Sequence, residues 1–296
     1  MDIKKVVDSD HRRLEAAGEY VKKYGRNILR WTENGLIRED DCYIFENGDE
    51  VAGGVCFGDD TAEEREIYDF AVAETSDPDW PKALQKAVLS AAKPQTKSIG
   101  YNLYDDTEQY GEILSIFLRA GFRIVQTKKS YTYECSEPPQ ADGTLNYRSV
   151  TEVGEEAFVS VVRDVTVGTL DKLMAVEAKR VGGDRAAREY VDSLKELDYN
   201  PDWWRLGYCG DKLIGLVLPQ KFNDVNGGIN YIGVLPEFRG NRYGEKLLAE
   251  GTRILLENGV RKIFADIDAT NHPLASALEQ TGYIFSSDES VLTYSI

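Results

Sequence analysis

The chain has 296 residues, with 35 basic against 51 acidic side chains and a formal net charge of −16. That length sets an expectation of two domains, each large enough for its own core, and a hydrophobic share of 42% with 10% aromatics excludes global disorder. The acidic excess, net −9 over residues 1–140 and net −7 over 141–296, argues against a nucleic-acid partner, whose binding depends on neutralising phosphates; it suits solubility or the attraction of small cations. No apolar run approaches the roughly 18 residues of a membrane helix. The start, Met1 to Asp8, lacks the apolar stretch of a secretory leader. Cys42, Cys56, Cys135 and Cys209 are scattered without a Cys-x-x-Cys pair, and His11 and His272 are the only histidines, so neither a disulfide framework nor a zinc pattern is expected. The expectation is a cytoplasmic protein with no membrane partner and no metal.

Taken in chain order, the elements occur twice. The first half opens with a strand from Ile3 to Val7 and polar-apolar helical segments. A hairpin follows, Cys42–Phe45 and Val51–Phe57 about the Asn47-Gly48 turn. A strand then ends at Val72, a helix covers Pro81 to Ala92, a strand runs from Ser98 to Leu103, and a short helix leads to Gly121-Phe122 and a last strand. The second half repeats the order: a strand from Leu145 to Val150, helical segments, a hairpin of Trp204–Tyr208 and Leu213–Leu218 about Gly210-Asp211, a strand ending at Val234, a helix, a strand from Lys262 to Ile267, a helix, and Gly282-Tyr283 before the last strand. A shift of 162 residues lays Gly48-Asp49 on Gly210-Asp211, Gly53 on Gly215 and Val72 on Val234, while 161 lays Gly121-Phe122 on Gly282-Tyr283. The two halves read as one fold written twice, α+β, each copy a mixed, mostly antiparallel sheet flanked by helices. The expected domains are residues 1–134 and 144–296, joined by a Pro-, Gly- and acid-rich linker over 135–143. Helix-compatible material between about Thr166 and Leu197 lengthens the second copy.

The copies differ chemically after the strand ending at Val72 or Val234. The second reads Leu235-Pro236-Glu237-Phe238-Arg239-Gly240-Asn241-Arg242-Tyr243-Gly244 and continues into a helix. A helix start with unpaired N–H groups and a partial positive charge can hold a pyrophosphate. Gly240 and Gly244 allow close backbone approach, and Arg239 and Arg242 add charge. The first copy has Ser76-Asp77-Pro78-Asp79-Trp80-Pro81 there, two carboxylates that would repel such a ligand, with Asp79 placed to cap the following helix.

This turn, followed by Asp268-Ala269-Thr270-Asn271-His272-Pro273, Leu278 and Gly282-Tyr283, resembles the cofactor motifs of the GNAT superfamily of N-acetyltransferases, and the whole layout resembles a tandem GNAT arrangement. Arg239 and Gly244 fall on the first and last positions of the family's [Q/R]-x-x-G-x-[G/A] turn, while Arg242 stands where its middle glycine does. The resemblance implies acetyl-CoA as acyl donor, held by Ile232, Gly233, Val234, Arg239, Gly240, Asn241, Arg242, Tyr243, Gly244 and Asn271. It also implies a small-molecule amine acceptor that attacks the thioester directly. The family's tyrosine acid would fall at Leu278; Tyr243 or Tyr283 could stand in, with core packing weighed against both. Phe264, Asp266 and Asp268 share one strand face, and Asp268 is the candidate base, with a turn or cap as its competing role; Asp266 is the weaker candidate. The alternative is a non-catalytic acyl-CoA-binding or interaction module.

Overall fold

The computed structural model describes residues 1–7, 10–59, 63–140, 143–195 and 199–296, apart from the side chain of His11. The linker expected at 135–143 and the helical insertion expected to end at Leu197 therefore lie partly outside the described residues. Among them no helix is long and apolar enough to cross a membrane.

The chain runs β1 (Asp2–Lys5), α1 (His11–Ala16), α2 (Glu19–Glu33), β2 (Cys42–Asn47), β3 (Glu50–Asp59), β4 (Glu64–Val72), α3 (Trp80–Ala91), β5 (Ser98–Tyr104), α4 (Tyr110–Ala120) and β6 (Arg123–Tyr133). It continues through β7 (Asn146–Ser149), α5 (Val150–Val153), α6 (Glu155–Thr166), α7 (Lys172–Val181), α8 (Gly183–Lys195), β8 (Arg205–Cys209), β9 (Lys212–Lys221), β10 (Asn226–Val234), α9 (Tyr243–Glu257), β11 (Lys262–Asp268), α10 (His272–Gln280) and β12 (Ile284–Ser295). The strands and hairpins fall where the alternation placed them, and the insertion is α7 and α8.

Two compact units form, but not at the expected boundaries. The first holds Met1–Val125 together with Glu289–Ile296, and the second holds Gln126–Asp288. The cause is the final strand of each copy. Residues of β12 pair antiparallel with β5, from Glu289↔Tyr104 to Ser295↔Ser98, in the first unit. Residues of β6 pair with β11, from Asp268↔Lys128 to Ile263↔Tyr133, in the second. Each copy thus ends in a strand that completes the sheet of the other unit. The linker separates the copies in sequence without separating the units.

Within the first unit, β1 to β5 and the β12 residues form a sheet that is antiparallel except for β4 beside β5. One face is covered by α3 and α4 through an aromatic core, with Phe45 5.2 Å from Trp80 and Phe70 5.1 Å from Phe117, centroid to centroid. The other face packs Tyr24 and Ile28 of α2 on Ile44, Cys56 and Ala71. In the second unit α9 and α10 cover one face with Leu247, Leu255 and Leu278. There α6 and α8 cover the opposite face with Phe158, Val162 and Val191 around Trp204. Strand alternation sends successive side chains to these two cores.

Two local features recur. β4 and β10 each carry one extra residue against the preceding strand, Tyr68 and Asn230, which the 162-residue shift superposes. Each strand also pairs with its parallel neighbour over three residues only, Glu64–Glu66 with Ser98–Gly100 and Asn226–Gly228 with Lys262–Phe264. Beyond those pairs the strands diverge into a wedge.

Candidate functional site

In the second unit the wedge between β10 and β11 opens into a cleft of about 900 Å³. Its walls are the ends of both strands, the turn into α9, the start of α10, and the α6–α7 connection. The N–H of Leu235 bonds to Ile214 O at 2.8 Å on the β9 side. By strand alternation the N–H of Val234 therefore faces the wedge. Ile232, Gly233 and Val234 all line the cleft.

Past Val234 a 3-10 turn, Pro236–Phe238, leads to Arg239 and then to Gly240 at φ +78°. Arg242 follows at φ +58°, the left-handed conformation that suits the glycine of the motif it resembles, and α9 begins at Tyr243 with no side chain capping it. The first-turn N–H groups of α9 thus point to the cleft with the positive end of the helix dipole. Gly240, Arg242, Tyr243 and Gly244 line the cleft. A methyl group at Gly244 would meet only Ala277 at 3.8 Å, so the turn leaves room for a ligand backbone contact. Such a start fits the pyrophosphate of a CoA thioester.

The two arginines do something other than wait for an anion. Arg239 donates from Nε to Val234 O at 3.1 Å, from Nη1 to Gly168 O at 3.1 Å and from Nη2 to Val165 O at 2.7 Å. It ties the end of β10 to the carbonyl end of α6, where a cation also complements the helix dipole. Arg242 is bidentate on Glu245 at 2.7 and 2.9 Å. Both arginines still line the cleft, beside the backbone N–H groups of the turn. Asn241 braces the turn from inside, its amide on Phe238 O at 3.0 Å and Arg239 O at 3.2 Å, and does not line the cleft. Asn271 lines the cleft and caps α10 by accepting from the Leu274 N–H at 3.3 Å. Tyr243 lines it too, packed edge-on against Phe238, and the neighbouring Cys209 thiol raises its phenol above the ordinary value.

The two candidate catalytic residues are placed elsewhere or occupied. Tyr283 is buried against Tyr133, shares a 2.7 Å hydrogen bond with Thr252 and does not line the cleft; burial pushes its phenol well up. Asp268 lines the cleft, but its carboxylate accepts four hydrogen bonds. They come from Gln126 Nε2 at 3.0 Å, the Lys172 N–H at 3.3 Å, the Thr270 N–H at 2.9 Å and the Thr270 hydroxyl at 2.6 Å. Burial acts to raise its pKa, yet these donors outweigh it and hold the group below the usual carboxylate range, which makes it a poor base. It anchors the turn between β11 and α10. Asp79, expected to cap α3, stands at the cap position without a cap bond. Asp77 instead accepts from the Asp79 N–H at 2.8 Å and from Asn47 at 3.2 Å, and these contacts keep it below the ordinary carboxylate value.

Asp268→Ala is expected to destabilise the second unit by ~2–3 kcal/mol, because four donor groups, one of them on the buried Gln126, lose their acceptor. The lowered folded pKa fixes the pH dependence. The stabilisation is complete above the unfolded value of about 4 and disappears as pH falls through the folded value. Urea unfolding of wild type and Asp268→Asn should differ most at neutral pH and converge on acidification.

Several cleft residues had no signal in the sequence. Gln126 and Lys128 come from β6, the strand exchanged into this unit. Tyr190 on α8 donates to Asn230 O at 3.0 Å, and its ring lies 5.2 Å from that of Tyr231. Gln220 donates to Leu194 O at 2.8 Å and accepts from Asn230, so the extra residue of β10 fastens the inserted helices to the wedge. Burial pushes the Tyr231 phenol up to about 12. Asp171 accepts from the Met174 N–H at 2.9 Å as the cap of α7, a pattern visible as Asp before a helical run. Asp266 stands exposed on the cleft wall with no hydrogen-bond or ion-pair partner among the described residues.

Comparison with known proteins places this geometry. None of the curated proteins matches the sequence. Among solved structures, a GCN5-related N-acetyltransferase from Sphaerobacter thermophilus aligns with a TM-score of 0.66 at 15% identity, over 99% of this chain and 95% of that one. A tandem GNAT protein from the clavulanic acid biosynthesis pathway aligns with a TM-score of 0.54 at 14% identity, over 86% of this chain and 82% of that one. A GCN5-related N-acetyltransferase from Kribbella flavida gives 0.53 at 12% identity, over 82% and 86%. At these identities the likeness is one of fold. The profile of the Acetyltransferase (GNAT) family matches residues 174–283, from α7 to the glycine-aromatic pair after α10. That match encloses the wedge and the turn, so the second unit of this chain carries a domain of the GNAT acetyltransferase family.

Proposed function

We propose that the second unit transfers an acetyl group from acetyl-CoA to the primary amine of a small molecule by direct attack. Acyl transfer is the chemistry of the family whose profile the unit matches. The observation that carries the finer reading is the wedge between β10 and β11 opening beside the uncapped start of α9. The α9 start would hold the pyrophosphate through backbone N–H groups. The Val234 N–H, free of β9, would polarise the thioester carbonyl as negative charge develops on its oxygen. The carboxylate free to receive a proton from the incoming ammonium, directly or through water, is Asp266 rather than Asp268.

The second reading, an acyl-CoA-binding module without turnover, draws on Leu278. This fully buried apolar side chain stands where the resembled family has its tyrosine acid. Calorimetric titration with acetyl-CoA comes first, and saturable binding at one site per chain is expected. Absence of binding would sink both readings. A panel of small primary amines with thiol detection then separates them, since CoA release that depends on the amine supports transfer and binding without release supports the module.

A further inference from the structure

The first unit keeps the wedge and changes what lines it. Between β4 and β5 beyond their three paired residues lies a cavity of about 500 Å³. The loop of Asp77 and Asp79, which stands where the second unit has the turn from Arg239 to Gly244, does not line this cavity. Where the second unit has Tyr231 on the wedge strand, the first has Asp69. The Asp69 carboxylate is half-buried and accepts one side-chain hydrogen bond, from Asn27 Nδ2 at 2.9 Å. Among the described residues no lysine or arginine pairs with it; Lys23 acts on it only at longer range. Burial accordingly raises its pKa, against the partial relief given by Asn27 and Lys23.

Aromatic rings line the same cavity as this carboxylate. Tyr20 and Tyr68 are 39% and 40% exposed on the cavity wall. Trp31 lies 6.2 Å from Tyr68, edge to face, and already receives the Arg30 guanidinium at 5.8 Å. Tyr101, stacked on Phe117 at 4.4 Å, lines the same space. At the rim stand Asp106 and Glu108, so three carboxylates face one lysine in the lining.

We propose that the first unit is a binding site for a small organic cation of the alkylammonium type, received between these rings with its charge toward Asp69. Ring faces and a half-buried carboxylate attract a diffuse positive charge that hydration releases at little cost. A neutral molecule of the same shape would leave the carboxylate uncompensated, and an anion would be repelled by it.

The test uses the full chain, with choline and its uncharged isostere 3,3-dimethylbutan-1-ol as probes in calorimetric titration or ligand-observed NMR. Choline should bind roughly tenfold or more tightly than the isostere, the discrimination expected of charge in an aromatic site. Asp69→Asn, which can keep the Asn27 contact and hence the fold, should weaken choline about tenfold and leave the isostere unchanged. Tyr68→Leu should weaken it severalfold. Lys23→Met, which removes the competing charge, should tighten it, an effect that a merely structural role would not produce. No binding of choline, equal binding of the two probes, or indifference to Asp69→Asn with an unchanged melting temperature would overturn the assignment. None of these outcomes depends on acetyl-CoA binding to the second unit, so each site can fail alone.

Discussion

Gly215→Ala is expected to unfold much of the second unit's site while the first unit stays folded. Gly215 lies opposite Val234 at a position where β9 and β10 exchange no hydrogen bonds and their Cα atoms approach most closely. A methyl group there would sit 2.1 Å from Gly233 O and 3.0 Å from Val234 Cα. Both neighbours are backbone, so no side chain can swing aside, and the strand itself must move. Overpacking costs roughly 1–3 kcal/mol where side chains can adjust, and the backbone clash here puts the expected loss at ~3 kcal/mol or more. The displaced segment is the one whose N–H faces the wedge, so acetyl-CoA affinity should fall with stability. The equivalent change in the first copy, Gly53→Ala, meets Ala71 O at 2.3 Å and the Trp80 ring at 2.6 Å. It should destabilise the first unit comparably and leave acetyl-CoA affinity near wild type. Gly111→Ala is the control, since it lies in α4 with nothing within 4 Å and should be neutral or slightly stabilising. Denaturant unfolding followed by separate probes of each unit, with calorimetry for the ligand, reads all three. Wild-type-like stability in Gly215→Ala would refute the packing argument.

Arg239→Ala should weaken acetyl-CoA binding more than tenfold, although three of its guanidinium N–H groups are spent on carbonyls of the protein. The loss is indirect. Removing the three donors frees Val165 O and Gly168 O at the end of α6 and lets the end of β10 part from it, so the turn no longer presents its N–H groups in register. Charge-assisted hydrogen bonds that are partly exposed put the stability cost at about 2 kcal/mol, a fall in melting temperature of roughly 4–8 °C for a unit of this size. Arg239→Lys should recover little, because one ammonium cannot span three carbonyls lying in different directions. If Arg239 acted instead as a point charge on pyrophosphate, the lysine variant would bind nearly normally and its salt dependence would match wild type. Titration of both variants at low and high ionic strength distinguishes the two roles.

Much of the fold was legible because it depends on local signals that occur twice. Asn47-Gly48 and Gly210-Asp211 fixed the hairpins, and β4 and β10 end at the residues the motif indicated. What stayed hidden depends on contacts between residues far apart in sequence. Nothing local to β6 says that it pairs with β11 more than 130 residues on, so Gln126 and Lys128 could not be assigned to the cleft. The hydrogen-bond partners of Arg239 and Asp268 were illegible for a related reason. Residue type and spacing told which groups reach the site, but not that Val165 O, Gly168 O, Gln126 and Lys172 N would already occupy them. For Tyr283 the aromatic following a glycine was visible, yet whether it faced the cleft or the core depended on Thr252 being within reach.

The exchanged strands also bear on how the protein is made. A ribosome that has released residues up to 288 has delivered everything the second unit contains, while the first, synthesised earliest, still lacks the strand that pairs with β5. The Tyr101 and Leu103 edge then waits unpaired through the synthesis of more than 180 further residues. Completion of the two units thereby reverses the order of their synthesis: the unit whose residues come first in this chain is the one whose sheet is closed last, and until then it carries a bare edge.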